Sequence, residues 1–304
     1  MINKVIIHGL IAWLAAAAAG CTDNRDAREE AVALRFRAVL EQNSRGGAAN
    51  PCAYPADIPF GVWALSLPGD RKWDDHADRA EMFLDDCRAT WSGEAWTTDT
   101  PCHWPPDKRR ATFFAYSPCS FPAVFSTERG IEFKGFDLAT DTADLMFAGP
   151  IADRSGGTSG GTVQVPFARA LCAVDFRVQT PVPEGTVIRL RRLALEGVAF
   201  KGDFRSLPEP AWSVTGDTGE AVFFEGDLTL DETEQAAGKP LFMLPQRARV
   251  TVKATCDIEH GGNATTGREL KTDAVLTWGC GKRRGYTLKV TPDTLVFTTD
   301  ILKP

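Results

Sequence analysis

The stretch Leu171–Gln179, LCAVDFRVQ, decides the fold class. Cys172, Val174, Phe176 and Val178 alternate with Ala173, Asp175 and Arg177, so the first set lines the buried face of a strand and the second faces water. The same alternation returns downstream. In RVTVKATC, residues 249–256, Val250, Val252, Ala254 and Cys256 alternate with Thr251, Lys253 and Thr255. In GYTLKVT, residues 285–291, Tyr286, Leu288 and Val290 alternate with Thr287, Lys289 and Thr291. Strands with one solvated face belong to antiparallel sandwiches, because strands of parallel sheets are covered on both faces and read as unbroken apolar runs. The chain is therefore mainly β.

Composition sets the outer bounds. With 304 residues, 43% apolar and 24% charged, the chain can bury a sizeable core, and its length favours about two domains. A formal charge of -6 and a pI near 5.4 exclude a phosphate-backbone partner, which would select clustered Lys and Arg, so no nucleic acid is expected. The flexible stretch SGGTSGG, Ser155–Gly161, separates an aromatic, Pro-rich half from a strand-dense half and suggests a boundary near residue 160. It lacks the Lys-Ser/Thr ending of a phosphate-binding loop and reads as a linker or hairpin loop. Between Asp70 and Asp107 no period is clear, and long irregular connections are expected there.

The N-terminus carries an address. Lys4, the apolar run Val5–Ala19 and the small residues Ala18-Ala19-Gly20 form a secretory signal over 1–20, too short for a bilayer span. With Cys21 directly after it, the signal resembles a bacterial lipobox, although Ala18 stands where leucine is common. In such signals the cysteine is acylated and becomes the mature N-terminus, and several acyl chains give firm anchoring. The seven later cysteines, Cys52, Cys87, Cys102, Cys119, Cys172, Cys256 and Cys280, show no C-x-x-C and no paired His spacing. They indicate neither zinc nor a redox dithiol, and most fit the role of small buried hydrophobes. A bridge between Cys256 and Cys280, on neighbouring expected strands, stays open.

No catalytic constellation emerges, and no enzyme, metal or cofactor is expected. WDDHAD, Trp73–Asp78, gathers Asp74, Asp75, His76 and Asp78 but departs from the calcium-loop pattern and reads as a solvated acidic loop. His103 and His260 lack a partner in any nucleophile motif, and G-x-S-x-G and H-E-x-x-H are absent. Trp63, Trp73, Trp91, Trp96 and Trp104 form either an exposed surface for stacking sugars or core packing.

ALRFRAVLEQNSRGGAANP, Ala33–Pro51, is ambiguous by pattern. As a helix it would align Val32, Phe36 and Val39. As a strand it would put Val32, Leu34, Phe36, Ala38 and Leu40 on one face and Arg35 and Arg37 on the other.

Taken with Cys21 and SRGG at Ser44–Gly47, six further segments resemble the fimbrillin family, the pilins of type V pili of Bacteroidales. In order they are FGVWAL from Phe60, HWPPDKRRATFFAYSP from His103, DLMFA from Asp144, VPFARALCAVDFRV from Val165, LFMLPQ from Leu241 and GYTLKV from Gly285. Arg169 stands where the family often has His, and Cys102 and Cys119 where it often has aromatic residues. The resemblance implies two tandem transthyretin-like antiparallel β-sandwich domains, over 21–160 and 161–304. It also implies an outer-membrane lipoprotein whose removable first strand, about 28–45, carries Val32, Leu34, Phe36, Ala38 and Leu40. An arginine-specific cut after Arg45, or after Arg25 or Arg28, would release that strand, and another subunit's strand would replace it. Leu295, Phe297 and Ile301 are the implied donor strand, unless that segment is simply the last strand of its own domain. The implied partners are other pilin subunits, the membrane before maturation, and an open host or bacterial surface ligand. The alternative is a lipid-anchored adhesin for glycan or host protein that never polymerises.

Overall fold

A computed structural model describes residues 32–41, 52–156, 160–182 and 185–300. Up to residue 169 the strands are β1 (Arg35–Leu40), β2 (Cys52–Ala53), β3 (Phe60–Leu67), β4 (Glu81–Trp91), β5 (Trp96–Thr98), β6 (Arg110–Ser117), β7 (Ala123–Ser126), β8 (Gly130–Asp137), β9 (Met146–Arg154) and β10 (Thr162–Arg169). From residue 172 they are β11 (Cys172–Gln179), β12 (Thr186–Arg205), β13 (Ala211–Leu230), β14 (Gln235–Ala236), β15 (Leu241–Met243), β16 (Arg247–His260), β17 (Asn263–Thr277), β18 (Arg283–Val290) and β19 (Leu295–Asp300). The described helix is one short turn at Trp73–His76 with a 3-10 turn after it. The class is mainly β, as LCAVDFRVQ predicts: Cys172, Val174, Phe176 and Val178 are all buried.

The first sheet runs β10-β9-β6-β3-β4-β5-β1-β2, and β1 also pairs with β10. Following the pairings from β10 to β1 therefore leads back to β10. The sheet wraps round a core of Phe36, Phe60, Val62, Phe113, Val165 and Phe167. Its central strands, β3 and β6, are apolar at almost every position because they are covered on both faces. Phe60, Val62 and Ala64 point into this core, while Trp63 and Leu65 point into a second core with Phe114, Phe133 and Phe204.

A third core lies between a sheet of β14-β11-β18-β19, with β15 also on β11, and a sheet of β17-β16-β12-β8-β7, with β13 on β12. The second of these sheets takes β7 and β8 from before residue 160 and its other strands from after residue 185. Two pairings, β1 with β10 and β11 with β18, are parallel, each joining strands far apart in sequence.

One expectation needs correction. Residues 70–107 are not mainly irregular, since β4 fills Glu81–Trp91. Its period was hidden because only Leu84 and Ala89 of the strand are buried, and because Asp86, at φ 46, breaks the alternation. The glycine-rich stretch at 155–161 lies between β9 and β10, which pair within one sheet. Cys256 and Cys280 are not bridged. Burial pushes the Cys256 thiol up to about 12, and Cys280 directs its sulfur to the Pro210 carbonyl oxygen.

Charged side chains decorate β12 and its neighbours. The Gly267 N–H and the Arg191 guanidinium, 2.9 and 2.7 Å away, hold the Asp257 carboxyl below the usual carboxylate range. A carboxyl depressed on folding stabilises above its unfolded value and loses that contribution as pH falls through its folded one. The thermal midpoints of wild type and Asp257→Asn are therefore expected to differ at neutral pH and to converge below about pH 4. A gap that stays constant with pH would show that the charge of Asp257 adds nothing.

Candidate functional site: the slot filled by the first strand

Residues 32–41 enter the first sheet as a strand because a buried slot matches their apolar side. Leu34, Phe36 and Ala38 are 3%, 1% and 8% exposed, Leu40 lies half-buried at the rim, and Arg35 and Arg37 face water. The Phe36 ring sits edge-on to Phe60 and Phe113, at 6.1 and 6.0 Å, a favoured aromatic geometry. Val32, which alternation puts on the same face, is not buried with them: it is 44% exposed. Val39 on the opposite side is buried, where β2 covers it through the Val39–Ala53 pair.

Backbone bonds fix both ends of the segment. Leu34 N–H donates to Cys102 O and Trp104 N–H to Val32 O, at 2.9 and 3.0 Å, so the HWPP segment clamps the entry. Arg35 N–H donates to Gly161 O at 2.9 Å, and the Trp104 indole N–H reaches the same oxygen at 3.2 Å. Gly161 stands at φ +83, where a Cβ would meet Ala33 O at 2.7 Å, so a side chain there would push the strand away. Glu41 N–H donates to Phe167 O at the exit. Tyr54 and Trp96 frame the slot. The Tyr54 ring stacks on Phe167 at 4.8 Å and its hydroxyl bonds Ser117, while burial pushes its pKa up to about 12.

The tryptophans are mostly core. Trp63, Trp73, Trp96 and Trp104 are 3–7% exposed, whereas Trp91 is 42% exposed. Asp74, Asp75 and Asp78 face water, and among the described residues no group of three His, Cys, Asp or Glu could hold a metal ion. His103 bridges to Ala33, and His260 Nδ1 lies 2.7 Å from the Thr186 hydroxyl. No described helix is long and apolar enough to cross a membrane.

At the C-terminus, β19 pairs with β18 from Val290–Leu295 to Gly285–Asp300. Leu295 is buried and Phe297 packs 5.0 Å from Tyr286, so this segment is a strand of its own sheet here. Cys21, Arg25, Arg28, Arg45 and Ile301 lie outside the described residues. Tyr54 was missed from sequence, and the parts of Trp96 and Gly161 in framing the slot were not legible, since each acts through a partner distant in the chain.

The chain is mainly β, and its first described strand, Arg35–Leu40, completes a buried core. The chain belongs to the fimbrillin-like family, whose model matches residues 56–301. It is 24% identical over 213 residues to the fimbrium subunit Fim1C of Phocaeicola vulgatus. That match covers 64% of this chain and about half, 55%, of the relative's length. A fimbrial protein from Bacteroides vulgatus shares the fold at a TM-score of 0.65 and 17% identity, covering 88% of this chain and 98% of its own. A putative cell adhesion protein from Bacteroides uniformis follows at 0.56 and 16%, with 89% and 97% covered. The family, the Phocaeicola relative and the Bacteroides vulgatus structure are all fimbrial by name.

Proposed function

We propose that this chain is a subunit of a surface pilus, assembled when β1 is exchanged for a strand of another subunit. One observation carries the reading: β1 joins β10 to β5 and β2, so its departure opens the ring along a line of unpaired N–H and C=O groups and an apolar slot. Open edges of this kind are templates for strand addition. No short hairpin ties β1 to β10 or β5, its ladder partners in the ring, so a cut after Arg45 would leave it held by the ladder and by side-chain burial.

Export begins with the signal over 1–20 and acylation of Cys21, which anchors the precursor in the outer membrane at the cell surface until it joins the pilus. Arg45, followed by Gly46 and Gly47, is the processing site, with Arg25 and Arg28 as alternatives. Other pilin subunits are the partners. The donor is the segment of Leu295, Phe297 and Ile301, which must first leave β18. The division into two tandem sandwich halves near residue 160 is what the family resemblance implies, with β7 and β8 of the first half pairing into the sheet of β12. The burial of four of the five first-half tryptophans counts against a sugar-stacking adhesin.

The test is digestion of the chain beginning at Cys21 with an arginine-specific protease, followed by an unboiled gel in detergent. A ladder of stable oligomers that Arg45→Ala abolishes is expected. A trimmed monomer, under conditions that polymerise an established pilin, would remove the polymerising role.

A further inference from the structure

The two edges of β1 are paired very unequally. Toward β10 the register is unbroken through six pairs, from Arg35–Thr162 to Leu40–Phe167. On the opposite edge β1 pairs once with β5, at Phe36–Trp96, and then only with β2, at Val39–Ala53 and Leu40–Cys52. Arg37 and Ala38 have no strand partner on that edge. A cleft of about 690 Å³ runs along this interruption, lined by Arg37, Ala38, Tyr54, Trp91, Glu94 and Trp96 among others. Trp91 stands 42% exposed at its side, its ring 5.7 Å from Trp96.

We propose that this cleft is the docking site where the C-terminal segment of a second copy of the chain first lands while β1 is still in place. The proposal rests on the strand-exchange reading and adds to it the place of entry. If β1 had to leave before its successor arrived, the whole ladder and the burial of Leu34, Phe36 and Ala38 would be lost at once. A segment that begins to pair beside Arg37 and Ala38 replaces contacts as they break, which lowers the barrier without altering the end state. The chemistry matches this occupant. The rim holds the exposed bases Arg35 and Arg37 against the single lining acid Glu94, while DTLVFTTD, residues 293–300, carries two acids and no base. Leu295 and Phe297 of that segment offer an aliphatic and an aromatic group to Trp91 and Tyr54.

The experiment uses the full chain from Cys21, cut by the arginine-specific protease, and a fluorescent peptide of residues 293–301, which holds Leu295, Phe297 and Ile301 and no base. Uptake is followed by anisotropy. Trp91→Ala, an exposed site, is expected to slow uptake roughly three- to tenfold and leave the final occupancy unchanged. Arg37→Glu is expected to slow it further at low salt, with the difference fading as salt rises. Normal uptake by wild type with unchanged rates in both variants would overturn the docking site and leave strand exchange standing. No uptake by wild type would overturn both. Loss of neutral-oligosaccharide binding in Trp91→Ala, with peptide uptake unaffected, would make the cleft a sugar site and overturn the proposal.

Discussion

Phe36→Ala is expected to lower the unfolding free energy by about 3–5 kcal/mol, among the larger losses a single truncation can cause. The ring is 1% exposed and packs edge-on against Phe60 and Phe113, so its removal forfeits hydrophobic transfer and leaves a cavity with rigid aromatic walls. Arg37→Ala, one residue along and facing water, should change stability by no more than about 0.5 kcal/mol. Chemical denaturation of the uncut chain measures both. A loss under about 1 kcal/mol for Phe36→Ala would mean that the slot collapses when emptied, and a slot that collapses would be a poor receptor for another strand. In the cut chain the same substitution should speed departure of β1, because the weakened strand is held by less burial.

Gly61→Ala is expected to be nearly as damaging, for the opposite reason. A Cβ at Gly61 would stand 2.0 Å from Cε1 of Tyr116, whose ring lies across the glycine on the paired strand. The ring cannot swing aside freely. It stacks on Trp63 at 5.0 Å, and its hydroxyl donates to Asp86 at 2.8 Å, a contact that together with burial holds the phenol above its ordinary pKa. Overpacking of this kind costs about 1–3 kcal/mol, and breaking the Tyr116–Asp86 bond adds to it. The test is a cycle with Tyr116→Ala: the loss caused by Gly61→Ala should largely vanish once the ring is gone. An equal loss in both backgrounds would place the damage in the backbone of β3.

Several parts of this architecture were legible before any coordinates. The alternation in LCAVDFRVQ, RVTVKATC and GYTLKVT identified β11, β16 and β18 and their buried faces, because a strand packed on one side repeats every second residue. Other parts were not. β4 was hidden because two of its residues are buried and a positive φ interrupts the rest. The near-continuous apolar runs of β3 and β6 do not show that they serve two separate cores, since a strand covered on both faces carries no phase.

What the sequence by itself determined is local: the mainly β class and an apolar face at Leu34, Phe36 and Ala38. Only the tertiary structure decided that β10 pairs with this segment in parallel, that Val32 stays outside while Val39 goes in, and that β19 rests on β18. The physical reason is sequence separation. Alternation records whether a side chain meets core or water, but not which strand lies beside it, and β10, the parallel neighbour of β1, lies more than a hundred residues further along the chain.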